Sequence, residues 1–167
     1  VIGSGDTIIL PPQSNQVEHE AELVAVIGKR GRHITAETAK KHILGYTIGN
    51  DVTARDLQKS DNQWTRAKGF DTFCPFGPWI DTDFDPSDSV ITCRVNGQMR
   101  QMASTRDMVF NVGTLVAYIS SVMTLEPGDL IFTGTPSGVG ELKSGDEVAV
   151  EIEGLGMIKN KAQAEGR

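Results

Sequence analysis

The segment Val17-Glu18-His19-Glu20-Ala21-Glu22-Leu23-Val24-Ala25-Val26-Ile27 constrains the fold of this chain more than any other. Read as a strand, it alternates with period two, so Glu18, Glu20 and Glu22 share a face with Val24 and Val26. His19, Leu23, Ala25 and Ile27 fall on the opposite face. For a generic pair of glutamates two residues apart, the plain reading is a half-exposed strand with its carboxylates in solvent. Here the strand continues apolar on both faces, which is the mark of burial. Carboxylates entering a buried region two residues apart repel each other unless a cation or protons intervene. A hard divalent cation with oxygen ligands is the economical remedy.

The rest of the chain must supply a core to bury that strand. With 167 residues, 38% hydrophobic and 23% charged, one globular domain is expected over residues 1–167. No apolar run approaches the roughly 20 residues a membrane helix needs. The net charge of -6 argues against a binder of nucleic-acid backbone. Two cysteines, Cys74 and Cys93, make neither a disulfide scaffold nor a paired-cysteine zinc site, which points to a reducing, cytoplasmic setting. The opening Val1-Ile2-Gly3-Ser4-Gly5-Asp6 has no basic start and no apolar signal core. It reads as the middle of a longer chain, so an N-terminal portion is expected to precede it.

Strands dominate the pattern. Gly5-Asp6, Gly128-Asp129 and Gly145-Asp146 each precede a β-prone apolar run, and Glu126-Pro127-Gly128-Asp129 suits a type II turn. Asn96-Gly97 is a strong two-residue hairpin signal between Ser89–Val95 and Gln98–Ala103. Three helices are predicted: Thr35 through Ile43, Thr53 to Lys59, and one starting near Asn111. In the last, Val112, Leu115, Val116, Ile119, Val122 and Met123 form one apolar face. The sum is a strand-dominated α+β fold with a curled, mixed sheet.

Further residues could carry chemistry. A strand is predicted to end near Asp51, which reads either as a helix N-cap or as a ligand. Arg55 and Gln58 lie one helical turn apart and could point into one pocket. Lys68 stands alone between aromatic and Pro-Gly clusters around Trp64 and Trp79, either solvated or part of a stiff wall. Phe132-Thr133-Gly134-Thr135-Pro136-Ser137-Gly138 runs from a strand into a Gly-rich loop bearing hydroxyls, without the Lys of a phosphate loop. His19, His33 and His42 lack metal-ligand spacing, and no serine or cysteine sits in a nucleophile elbow.

Taken in order, His19-Glu20-Ala21-Glu22-Leu23, Gly45-Tyr46-Thr47, Asn50 through Gln58, Trp64 to Lys68, and Gly128-Asp129 to Thr133-Gly134-Thr135-Pro136 resemble the fumarylacetoacetate hydrolase family. The resemblance covers essentially the whole chain as that family's C-terminal catalytic domain. It is nearest the bacterial acylpyruvate hydrolase, hydroxymuconate-type isomerase and oxaloacetate decarboxylase branch. It implies a mixed β-sandwich roll, a homodimer, and one Mg²⁺ or Mn²⁺ held by Glu20, Glu22 and Asp51. Glu18 falls outside that motif. Arg55, Gln58 and Lys68 would have catalytic and substrate-binding roles, and Thr135 would contact substrate. The implied activity is C–C cleavage of acylpyruvate-like 2,4-diketo acids through a metal-stabilised enolate. Isomerisation of 2-hydroxyhepta-2,4-diene-1,7-dioate or 5-carboxymethyl-2-hydroxymuconate, or decarboxylation of oxaloacetate, shares that enolate and stands as the alternative. A non-catalytic metal-binding domain is the second alternative. Family members also carry a His and a Glu on an N-terminal lid helix as an acid–base pair. No segment of this chain matches it, so the lid-bearing segment is expected to be missing.

Overall fold

The computed structural model describes residues 1–166, so Arg167 of the expected 1–167 domain lies outside the described residues. In chain order the elements are β1 (Thr7–Leu10), β2 (Val17–His19), β3 (Ala21–Ile27), β4 (Ile43–Asn50), β5 (Thr53–Ala54), α1 (Arg55–Ser60), α2 (Thr65–Lys68), β6 (Phe76–Asp81), β7 (Val90–Val95) and β8 (Gln98–Ser104). There follow α3 (Val112–Val122), β9 (Leu130–Phe132), β10 (Gly140–Glu141), β11 (Glu147–Ile152) and β12 (Gly156–Ala164). The expected strand-dominated, mixed α+β architecture is what forms.

Strands β1-β12-β11-β7-β8 make one sheet and β6-β4-β3-β9 a second, and the two meet through contacts of β7 with β3 and of β11 and β12 with β4. The β1–β12 pairing is parallel and the other ladders are antiparallel. Every residue of β3 is buried, as its doubly apolar sequence requires. Leu23, Ala25 and Ile27 join Ile48, Ile91, Cys93, Val150 and Ile158 in the core between the sheets.

The feature that builds the site is a break shared by two strands. Val17 to Ile27 is not one strand. At Glu20 the backbone leaves the ladder, because its N–H donates to the side-chain Oδ1 of Asn50 at 2.9 Å. The partner strand breaks at the same level: β4 ends at Asn50, and the Asp51 N–H donates to the Glu20 carbonyl at 2.9 Å. Beyond the break the two chains pair again as β2 and β5, with Glu18 opposite Thr53, and β10 completes this third sheet. Glu20 and Asp51 therefore sit side by side where one sheet passes into the next.

The predicted helices hold unequally. The last one forms over Val112–Val122, capped by Asn111 Oδ1, which accepts from the Thr114 N–H at 2.9 Å. Its buried side is Val112, Val116 and Ser120, and the expected apolar face ends in Val122 and Met123, which are exposed. The predicted Thr53–Lys59 helix begins two residues later, because Thr53 and Ala54 are taken by pairing with β2. Thr35 through Ile43 yields only a short 3₁₀ turn at Ala39–Lys41. Ile43 is already paired with Ile27, and that strand ladder overrides local helix preference. The Asn96-Gly97 hairpin forms as predicted, with both residues at positive φ of 52° and 76°.

Candidate metal centre

The break brings Glu20, Glu22 and Asp51 together, with one carboxylate oxygen of each inside a 4.8 Å cluster. Glu20 and Glu22 are only 6% and 3% exposed, so their charges are largely removed from water. Their cavity, about 600 Å³, is also lined by Arg55, Gln58, Trp64, Lys68, Phe132, Gly134 and Thr135. All seven residues singled out from sequence thus line one cavity.

Local structure explains the convergence. Glu22 lies opposite Gly49 in the β3–β4 ladder. A Cβ at Gly49 would sit 2.4 Å from the Phe132 ring and 2.6 Å from Val24 Cγ2, so the glycine makes room for the aromatic wall. Arg55 opens α1 directly after β5, and its guanidinium reaches back across β2. Its Nε donates to Glu18 Oε2 at 2.7 Å, Nη1 to Gln58 Oε1 at 2.5 Å, and Nη2 to Glu20 Oε1. Lys68 closes α2, and its Nζ donates to Asp51 Oδ2 at 2.5 Å and to Glu20 Oε2 at 2.9 Å. The solvated alternative for Lys68 is therefore wrong: burial would depress its pKa, but Asp51 and Glu20 outweigh that and hold the ammonium above its ordinary range.

The positive charges of Arg55 and Lys68 are not free for a ligand. Both are already committed to carboxylates. If Glu18, Glu20, Glu22 and Asp51 are all ionised, Arg55 and Lys68 leave two negative charges uncompensated. Glu22 shows what burial does to a carboxylate without a cation partner. Its hydrogen bond comes from a neutral group, the Gly134 N–H at 2.6 Å, and burial pushes its carboxyl up to about 8. That N–H opposes the shift, while Asp51 and Glu20 add to it. Burial likewise raises Asp51, against the hydrogen bond from Lys68. A proton on Glu22 removes one of the surplus charges; a divalent cation among three oxygen ligands would remove both. The donor set fits a hard ion of the Mg²⁺ or Mn²⁺ kind.

The family model for the fumarylacetoacetate (FAA) hydrolase C-terminal domain matches residues 1–163. The chain belongs to this family. A 5-carboxymethyl-2-hydroxymuconate delta-isomerase from Mycobacterium smegmatis matches with a TM-score of 0.97 and 51% identity, over 99% of this chain and 66% of its own. A 2-hydroxyhepta-2,4-diene-1,7-dioate isomerase from Mycobacterium marinum matches with a TM-score of 0.97 and 53% identity, again over 99% and 66%. A mitochondrial oxaloacetate tautomerase of Bos taurus is 49% identical over 96% of this chain and 55% of that protein. The chain thus spans between 55% and 66% of the length of these relatives.

Within this FAA hydrolase C-terminal domain, sequence reasoning misses three contributors. Glu18 falls outside the ligand motif, yet it anchors Arg55; its place in the same alternation as Glu20 and Glu22 is the available signal. The Gly134 N–H, which meets Glu22, is a backbone group and leaves no sequence trace. Gln101, buried behind Thr135, carries no motif at all. Among the described residues no histidine lines the carboxylate cavity: His19 is fully buried on the opposite face, where burial lowers its pKa, and His33 and His42 lie elsewhere.

Proposed function

We propose that this chain carries the active site of a divalent-metal-dependent enzyme acting on 2-oxo acids and their enols, with enolisation as the step its residues serve. The observation that carries this reading is the surplus of negative charge in a buried three-carboxylate cluster. Glu20, Glu22 and Asp51 would hold Mg²⁺ or Mn²⁺. When bound, the ion supplies Lewis-acid polarisation of a 2-oxo oxygen. Arg55 fixes the orientation of Glu20 through one of its nitrogens, and Glu18 and Gln58 fix Arg55 in turn. Lys68 holds a proton at Nζ at the mouth, where it can meet a substrate carboxylate or the oxygen that gains charge as the enolate forms.

Acylpyruvate C–C hydrolysis and keto–enol or double-bond isomerisation are both within reach of such a site, since each passes through the same enolate. Hydrolysis needs a base to activate water and isomerisation a group to move a proton between oxygen and carbon, and among the described residues no histidine lines the cavity for either task. The similar proteins divide between the two: isomerases and a tautomerase stand beside a fumarylacetoacetate hydrolase from Exiguobacterium antarcticum. An acid–base pair on a preceding lid segment, as the family resemblance implies, would serve either task. Oxaloacetate decarboxylation makes smaller demands on a base, since loss of CO₂ yields the enolate directly.

A homodimer in the cytoplasm completes the reading. The exposed Tyr118, Val122 and Met123 toward the end of α3 support it as apolar surface that a second copy could cover. No described helix is long and apolar enough to cross a membrane. The experiment compares oxaloacetate enol-to-keto conversion, acetylpyruvate cleavage and isomerisation of a hydroxymuconate-type diene acid with Mg²⁺, Mn²⁺ or EDTA. Metal-dependent turnover inhibited by oxalate is expected, along with a melting temperature that rises with metal in the parent but not in Asp51→Ala. Identical metal titrations for both proteins would overturn the site. Turnover of every substrate unaffected by millimolar oxalate would overturn the mechanism.

A further inference from the structure

The turn from Gly134 to Pro136 stands between two cavities. One is the carboxylate cavity; the other, about 420 Å³, is lined by Leu23, Met108, Phe110 and Leu115 among others, and shares Gly134 and Thr135 with the first. A turn with open space on two sides has little packing to hold it, yet it carries the N–H that meets Glu22 and the hydroxyl of Thr135. Its anchor lies in the sheet beneath.

Gln101 on β8 is 1% exposed, and its amide is bonded on both ends. Its Oε1 accepts from the Ala21 N–H at 3.2 Å, and its Nε2 donates to the Pro136 carbonyl at 2.8 Å and to Thr135 Oγ1 at 2.7 Å. Two backbone groups settle which end is which, because an N–H can only donate and a carbonyl can only accept. His19 Nδ1, 3.0 Å from that Oε1, must then carry a hydrogen and donate it. The same logic fixes Thr135. Its hydroxyl donates to the Ala21 carbonyl at 2.9 Å while accepting from Gln101. What Thr135 has left is a lone pair. Nearby, Gly138 presses the same loop onto β8: at its φ of 100°, a Cβ would lie 2.1 Å from the Arg100 carbonyl oxygen.

We propose that Gln101 is a positioning residue for this site, a buried clamp that presents Thr135 to the cavity as a hydrogen-bond acceptor only. The ligand that satisfies such a group is a donor. An enol hydroxyl is one, whereas the keto form of a 2-oxo dianion has no hydroxyl to offer. The clamp therefore makes Thr135 a discriminator between the enol and keto forms of the substrate. This inference rests on the 2-oxo acid reading above.

The test is a double-mutant cycle with Gln101→Met and Thr135→Val, read as kcat and KM for oxaloacetate enol-to-keto conversion with Mg²⁺. Each single substitution is expected to lower kcat/KM by about tenfold or more, the cost of one buried hydrogen bond lost or misdirected. The double variant should be no worse than the poorer single one, because Gln101 acts through Thr135. Thr135→Ser should recover most of the loss in the parent background and none in Gln101→Met. Losses that multiply would make Gln101 merely structural and overturn the proposal. If Gln101→Met does not fold, Gln101→Glu removes the same two N–H donors at constant size and takes its place in the cycle. Imidazole ¹⁵N shifts provide a readout independent of turnover: His19 should carry its hydrogen on Nδ1 in the parent. A hydrogen on Nε2 alone would overturn the clamp whatever the activity. A parent that converts no 2-oxo acid while showing the expected His19 state would instead overturn the reaction, and with it the discriminating role of Thr135, leaving the clamp itself established.

Discussion

Lys68 donates to Asp51 at 2.5 Å across the mouth of the carboxylate cavity, so a side-chain cation rests on a carboxylate of the candidate metal cluster. The ammonium and a divalent ion would compete for the same negative potential. A unit charge about 4 Å away at an effective dielectric of about 20 is worth roughly 4 kcal/mol, and solvent at the mouth reduces that. Lys68→Met is therefore expected to tighten Mn²⁺ binding by about tenfold while lowering turnover, since the proton held at Nζ is lost. Isothermal titration on parent and variant measures the first effect. Weaker binding in Lys68→Met would mean that Lys68 organises the ligands rather than opposing the ion.

Glu22 gives the site a pH dependence of definite sign. Its carboxyl is pushed from an ordinary 4.5 up to about 8, so near neutral pH the metal-free protein holds a proton there that an incoming cation must displace. Apparent metal affinity should fall about tenfold for each pH unit below about 8. Calorimetry in buffers of different ionisation enthalpy should show close to one proton released per ion bound at pH 7. The linked stability effect runs the other way for the metal-free fold. Between 4.5 and about 8 the folded state binds more protons at Glu22 than the unfolded chain does, so this group's contribution is full below 4.5 and declines as pH rises toward 8. Glu22→Gln should remove both dependences. Unchanged proton release in that variant would assign the proton to another group.

Much of this site is legible in the sequence because period-two alternation is a strong physical signal. A strand apolar on both faces must be buried, and glutamates carried into it must be compensated, so Glu18, Glu20 and Glu22 stand out together from the residue pattern, and only the family resemblance separates Glu18 from the other two. The helical spacing of Arg55 and Gln58 likewise fixes their contact. What escapes is set by tertiary geometry. Nothing local in Glu20 announces that its N–H leaves the ladder for Asn50 Oδ1, and that break is what places Asp51 beside it. The 3₁₀ turn at Ala39–Lys41 replaces a predicted helix because Ile43 is claimed by Ile27 on a distant strand. Gln101 is invisible for a related reason: a buried glutamine is defined by its partners, and its partners lie 34, 35, 80 and 82 residues away.

Arg55 and Glu18 allow a test of stability apart from chemistry. The Arg55 side chain is 16% exposed and bridges two carboxylates that are themselves 9% and 8% exposed. Removing one partner of such a buried arrangement leaves uncompensated charge, at a cost of about 3–5 kcal/mol. Arg55→Met should lose that much in denaturant unfolding without metal, and Mg²⁺ should recover part of it by neutralising Glu20. Glu18→Gln should cost less, since Arg55 keeps Glu20 and Gln58. A loss below about 1 kcal/mol for Arg55→Met would place these charges in water and contradict the burial on which the charge argument depends.

Gly49 offers the sharpest packing prediction. It stands opposite Glu22 in the ladder, and a Cβ there would approach Phe132 Cε1 to 2.4 Å and Val24 Cγ2 to 2.6 Å. Val24 is fully buried in the middle of β3 and cannot swing away, so the Phe132 ring must move. Overpacking of this kind costs about 1–3 kcal/mol. For a chain of this length, each kcal/mol lowers the melting temperature by roughly 2–4 °C. Gly49→Ala should therefore melt several degrees below the parent. Because Phe132 walls the carboxylate cavity, KM for any 2-oxo acid turned over should rise as well. Gly3→Ala is the control: its nearest neighbour would be Asp6 Oδ2 at 3.7 Å, an ordinary contact, and its melting temperature should stay with the parent. If Gly49→Ala matches that control in both stability and KM, the Phe132 ring is not held against the β3–β4 ladder, and the aromatic wall of the cavity is looser than its geometry implies.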